Sequence, residues 1–134
     1  MMHPLKISIV QTDIAWENKQ ENLRMLREKL HALRGTTEIV VLPEMFSTGF
    51  TMKSRELAEP VSGITVRILK ELAADFQLAL CGSFICSERS NYYNRAFFIT
   101  PEGEEFYYDK RHLFRMGNEA EYFSSGNNKL IISY

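Results

Sequence analysis

The run at 39–42 (IVVL) constrains this chain more than any other feature. It is short, unbroken and largely β-branched, with no polar alternation, which is the pattern of a strand buried on both faces. Pro43 removes a ladder donor and ends it. Glu44 then stands at the C-terminal mouth of the strand, among Met45, Phe46 and Phe50, with Gly49 as a hinge. An apolar setting of that kind disfavours the charged carboxylate and raises its pKa, as a general base working near neutrality requires. A glutamate in this position is also an ordinary solvated loop residue. The stretch alone leaves both readings open.

The remaining chain supplies neighbours for that strand. Residues 6–11 (KISIVQ) read as a first strand. Asn18 followed by Glu21 has the spacing of a capping box. Leu23, Leu26, Leu30 and Leu33 then share one helical face, and Gly35 sits where a C-cap glycine belongs. Residues 51–63 read as an excursion. A second helix over 64–76 places Ile64, Ile68, Leu72 and Phe76 on one face. A third strand covers 78–85 (LALCGSFI), and Asn91 interrupts before a fourth over 93–100. The turn Pro101-Glu102-Gly103 leads into a fifth strand at 105–108, an irregular segment at 109–128, and a last strand at 130–133. The order β-α-β-α-β followed by an antiparallel hairpin predicts right-handed crossovers and a largely parallel sheet with helices on one face.

Composition excludes several classes. A chain of 134 residues has the length of one domain. Its net charge of -1 gives no electrostatic reason for a nucleic-acid or anionic-membrane partner. No apolar run has the length of a membrane span, and Met1-Met2-His3-Pro4 lacks the layout of a signal peptide. Cys81 and Cys86 are the two cysteines, without a CxxC, which fits a reducing cytoplasm. Neither GxGxxG nor GxxxxGK[ST] occurs, which counts against a nucleotide-binding domain. Cys81 lies within an apolar strand, where burial makes a thiol inert, and Cys86 at the strand's end is the more exposed of the two.

The segment 107–114 (YYDKRHLF) is the other informative one. Lys110 is either a solvated strand-end charge or a fixed cation for a developing oxyanion. His112 has no partnered His or Cys spacing for a metal, so packing or support of a neighbouring residue suits it better. Val41-Leu42-Pro43-Glu44 with Phe46 and Gly49, then Gly82-Ser83, Asn94, Pro101, Gly103, and Tyr108-x-Lys110-x-His112-Leu113-Phe114 resemble the nitrilase, or carbon–nitrogen hydrolase, superfamily. The start, Gln11-x-Asp13 with Trp16 and Asn22, is similar to the family's usual start. Residues 46–50 and 110–123 are most similar to its omega-amidase-like branch, which acts on omega-amides of 2-oxo acids.

The resemblance implies an α/β fold, specifically half of a nitrilase-like four-layer α-β-β-α sandwich. Residues 1–134 would be the N-terminal portion of a single carbon–nitrogen hydrolase domain. It also implies amide hydrolysis by a Glu-Lys-Cys triad on a small-molecule amide, without cofactor or metal, in a cytoplasmic homo-oligomer. Glu44 matches the family's base and Lys110 its lysine. The second glutamate matches Glu119, with Glu121 two residues away as the alternative register. The family's nucleophilic cysteine lies beyond the lysine segment on a strand-to-helix turn, and the sequence reaches Tyr134 before any such residue. The chain by itself is therefore expected to be inactive and to leave apolar sheet surface open to self-association. The alternative is a non-catalytic nitrilase-like domain used for binding or assembly.

Overall fold

The computed structural model describes residues 2–134; Met1 lies outside them. The elements run β1 (Ile7–Ile9), α1 (Lys19–Leu33), β2 (Ile39–Val41), α2 (Ser54–Leu57), α3 (Ile64–Phe76), β3 (Ala79–Glu88), β4 (Asn91–Ile99) and β5 (Glu105–Asp109). A 3-10 turn at Arg115–Gly117 and α4 (Glu119–Tyr122) follow. The five strands form one sheet in sequence order. β1, β2 and β3 are parallel, in the register Ile7↔Ile39 and Ile39↔Ala79, and β3, β4 and β5 form an antiparallel meander.

Both long helices cover the same side of the sheet. Leu23, Leu26 and Leu30 of α1 and Val66, Leu69, Leu72, Ala73 and Phe76 of α3 close on Val40, Leu80, Phe84, Phe97 and Ile99. Fully burying a leucine such as Leu30, Leu69 or Leu80 contributes about 2 kcal/mol each, so this layer carries the fold. Asn18 caps α1 by accepting from the Glu21 N–H at 3.1 Å. The reciprocal half of the capping box is absent, because the Glu21 carboxylate turns outward to Arg24 at 2.6 and 2.8 Å. The buried face of α3 is rotated from the one expected. Ile64 is 46% exposed, and Val66, Leu69 and Ala73 face the sheet in its place.

Gly35 directly follows the C-cap residue of α1, Arg34, in the left-handed region, the place expected for a C-terminal glycine. It has φ +75° after an extended Arg34 (φ -55°, ψ 129°), the third residue of a type II turn closed by Thr36 N–H to Leu33 C=O at 3.0 Å. Other local expectations change. β3 and β4 are joined by Arg89 and Ser90, both at positive φ (50° and 67°), with Glu88 paired to Asn91. Asn91 therefore continues the ladder and does not interrupt it, and the turn is type I′ without its usual glycine. The excursion at 51–63 contains α2, and the segment at 109–128 contains two short helical turns. Residues 130–133 form no strand, and they pair with neither edge of the sheet, β1 or β5. Tyr134 instead lays its ring on Phe98, 5.2 Å away, on the side of the sheet away from the helices.

That second side of the sheet is apolar and partly open. Ile7 and Ile9 are 54% and 82% exposed, while Val41, Cys81, Phe98 and Phe106 are half-buried. Among the described residues, no helix is long and apolar enough to cross a membrane.

Candidate active site

The end of β2 positions the first carboxylate. After Pro43 the chain turns sharply, with Met45 at φ +50°, a left-handed conformation a non-glycine residue adopts only when held there. Ser83 holds it: its Oγ accepts the Met45 N–H at 2.8 Å, and its carbonyl accepts from Phe46 N–H at 3.2 Å. The Met45 side chain is buried with Ile85 and Phe123, and Phe46 enters the main core. Their departure leaves the Glu44 side chain 47% exposed at the strand mouth. The apolar enclosure expected for Glu44 is thus absent, because its aromatic and thioether neighbours in sequence turn inward.

The β4–β5 hairpin brings the cation. Lys110 follows β5 directly, and its N–H donates to the Asn94 carbonyl at 2.9 Å. Its Nζ lies 2.7 Å from Glu44 Oε1 and 5.3 Å from the centre of the Phe50 ring. On the far side, Nζ lies 3.0 Å from Oε1 of Glu119 and 3.4 Å from Oε2. Burial pulls the Lys110 amine down, but hydrogen bonds and charge from Glu44 and Glu119 outweigh it and raise its pKa above the ordinary lysine value.

Glu119 is the buried member of the set. Its side chain is 0% exposed, at the start of α4, where Phe123 anchors the turn in the smaller core cluster. Oε1 accepts from the Phe114 N–H at 2.7 Å and Oε2 from Asn94 Nδ2 at 3.1 Å. Burial pushes the carboxyl up, yet these hydrogen bonds and Lys110 more than compensate and hold it below the usual carboxylate range. Glu121 is exposed. Of the two registers, the one through Glu119 puts a carboxylate on Lys110.

Asn94 is the member whose part the sequence did not reveal. It is 2% exposed, and its amide donates both to Glu44 Oε1, at 2.8 Å, and to Glu119 Oε2. A buried asparagine on a strand between Tyr93 and Ala96 was the available signal, since a buried amide requires partners. Glu44, Asn94 and Lys110, but not Glu119, line a cavity of about 270 Å³ together with Leu42, Gly82, Ser83, Ala96 and Tyr108. Among the described residues, Glu44 Oε2 takes no hydrogen bond, while Oε1 takes two. One carboxylate oxygen is therefore fixed and the other is available to a proton. An ammonium aimed at the same opening can hold negative charge on a neighbouring oxygen.

The cysteines and His112 stand apart from this set. Cys86 is 0% exposed, because β3 runs on to Glu88 and pairs Cys86 with Tyr93. It is the more buried cysteine, the reverse of the expectation, and burial pushes its thiol up to about 11. Cys81, half-buried on the open side of the sheet, is also raised by burial. His112 is exposed and, among the described residues, makes no side-chain hydrogen bond or ion pair, so neither of the expected parts, packing or support of a neighbour, is seen.

Comparison with known proteins agrees with this arrangement of strands. The chain is 32% identical over 133 residues to omega-amidase YafV of Escherichia coli K12, covering 99% of this chain and 51% of that protein. It is 28% identical over 125 residues to an (R)-stereoselective amidase of a Pseudomonas species, covering 92% of this chain and 45% of the relative. The crystal structure of XC1258 from Xanthomonas campestris, a CN-hydrolase superfamily protein with an arsenic adduct in its active site, superimposes with a TM-score of 0.95. It is 36% identical and covers 99% of this chain and 50% of the other. The chain thus spans about half the length of the relatives it matches. With the carbon-nitrogen hydrolase family model matching residues 6–133, the chain belongs to that family.

Proposed function

We propose that these residues supply the base, the cation and the second carboxylate of an amide-hydrolysing site of the omega-amidase type, acting on omega-amides of 2-oxo acids. The observation that carries the reading is the Lys110 ammonium held between Glu44 and Glu119, at 2.7 and 3.0 Å, over an open cavity. In this reading Glu44 takes the proton of an attacking thiol as sulfur adds to the amide carbon. Lys110 holds the oxyanion. Collapse expels the amine as ammonia, protonated from Glu44, and leaves a thioester. Water then attacks, giving its proton to Glu44, and the carboxylic acid and free thiol are released. Glu119 and Asn94 fix the lysine and the base. The thiol is not Cys81 or Cys86, whose pKa values burial raises.

The thiol then comes from a part of the domain outside these 134 residues, which make up its N-terminal portion. The apolar open side of the sheet supports that division, since Ile7, Ile9 and Phe98 suit contact with a second layer. A homo-oligomer in the cytoplasm, acting on a small amide without cofactor, completes the proposal. Ammonia release from an omega-amide of a 2-oxo acid by the 134-residue chain tests the thiol assignment. No turnover is expected, and turnover lost in Cys86→Ser or Cys81→Ser would overturn it.

A further inference from the structure

Among the described residues, the hydrolysis scheme leaves two buried charged side chains without a role, Arg95 and Glu59, the latter held by Lys19 and Thr65. Arg95, 6% exposed, lies on the helix side of β4, directly across from Asp109 of β5. Its guanidinium takes both oxygens of Asp109, Nε to Oδ1 at 2.7 Å and Nη2 to Oδ2 at 2.9 Å. Nη1 reaches Glu88 at 3.1 Å, and the rings of Tyr93 and Tyr107 flank the guanidinium at 5.4 and 5.9 Å. Burying an ion pair in a sheet is costly beside an apolar pair of equal volume, so such a pair is weak evidence for stability alone.

Its place in the ladder gives it another use. The β4–β5 register runs from Ile99↔Glu105, beside the turn, to Arg95↔Asp109, and a single backbone bond follows it, from Lys110 N–H to the Asn94 carbonyl at 2.9 Å. Lys110 is the first residue beyond Asp109, and Asn94 is the neighbour of Arg95. Adjacent strand residues point to opposite faces, so fixing Arg95 and Asp109 below the sheet fixes how Asn94 and Lys110 leave it above. Without a lock at its open end, a hairpin frays from that end.

We infer that Arg95, through its two-point bond to Asp109, is the positioning residue for Lys110 and Asn94. It acts from the opposite side of the sheet and touches neither substrate nor the reacting atoms. The consequence for catalysis rests on the proposed amidase reading. The position of Lys110 does not, so it can be tested without turnover.

The test is a side-chain NMR titration of the 134-residue chain with labelled lysine, the Lys110 signal being assigned by its loss in Lys110→Arg. In the parent chain the Lys110 signal titrates above the ordinary lysine value. In Arg95→Met its midpoint is expected to fall toward the ordinary lysine value. Asp109→Asn, which keeps the shape and one acceptor, is expected to move it the same way by less. Glu88→Gln, which changes net charge near the guanidinium but leaves the two-point bond, should not move it. Backbone amide spectra establish that each variant is folded. If Arg95→Met does not fold, Asp109→Asn decides. A folded Arg95→Met or Asp109→Asn chain whose Lys110 titrates as in the parent overturns the inference, and so does an equal shift in Glu88→Gln.

Discussion

Replacing Glu119 by glutamine keeps its volume and removes its charge, at a side chain that is 0% exposed. The native carboxylate meets donors only: Phe114 N–H, Asn94 Nδ2 and Lys110 Nζ. A glutamine has one acceptor oxygen, so its NH₂ must face one of those donors. Leaving that donor unsatisfied costs about 2 kcal/mol. Losing the charge on the ammonium adds about 1 kcal/mol, discounted because Lys110 is 29% exposed. The sum, about 3 kcal/mol, corresponds to a Tm lower by roughly 10 °C for a chain of this size. Glu121→Gln, at an exposed position, should change stability by less than about 0.5 kcal/mol. The pH dependence has a defined sign. The folded Glu119 carboxyl lies below its unfolded value of 4.5, so its stabilisation is complete above pH 4.5 and is lost as pH falls through the folded value. Denaturant melts of the parent and Glu119→Gln should therefore diverge at pH 7 and converge in acid. An equal gap at both pH values, or a larger cost for Glu121→Gln, would refute the reasoning.

Three further expectations follow from the same contacts. Lys110→Met leaves Glu119 buried without its ammonium and should cost about 2 kcal/mol at pH 7 in chemical denaturation. Because the folded Lys110 pKa is raised above 10.5, that difference should persist below pH 10.5 and fade as pH rises through the folded value. Gly49→Ala should cost about 2 kcal/mol or more, since φ is +84° and the new Cβ would stand 2.7 Å from Trp16 Cε3, with a change in Trp16 fluorescence as a second readout. Iodoacetamide at pH 8 should alkylate half-buried Cys81 well before Cys86, whose thiol is 0% exposed and raised to about 11, and peptide mass mapping reads the order.

Local pattern revealed the fold better than it revealed the site. Leu23, Leu26 and Leu30 marked α1, and the apolar run at 39–42 marked β2, because burial periodicity is written residue by residue. On α3, Ile64 and Ile68 share the spacing of a buried face, yet the helix rolled to bury Val66, Leu69 and Ala73. Spacing alone does not choose between two adjacent apolar stripes. The Arg89-Ser90 turn carries no glycine, so β3 was read three residues short, and the order of exposure of Cys81 and Cys86 came out reversed. The charged groups are separated by up to 75 positions, from Glu44 to Glu119, and only the family resemblance pointed to them together. That Asn94 bridges both carboxylates, and that Glu119 is buried while Glu121 is not, depends on the packing of α4 through Phe123. No property of the local sequence carries that information.

Our assignment makes Glu44, Lys110 and Glu119 the base-and-cation half of the proposed amidase site. It is tested most directly by a chimera joining residues 1–134 to the remaining half of omega-amidase YafV, assayed for ammonia release from an omega-amide of a 2-oxo acid. Turnover is expected in the folded chimera, with a loss of at least about a hundredfold in kcat for Glu44→Gln, the contribution of a general base. A folded chimera whose Glu44→Gln variant retains full kcat would contradict the assignment.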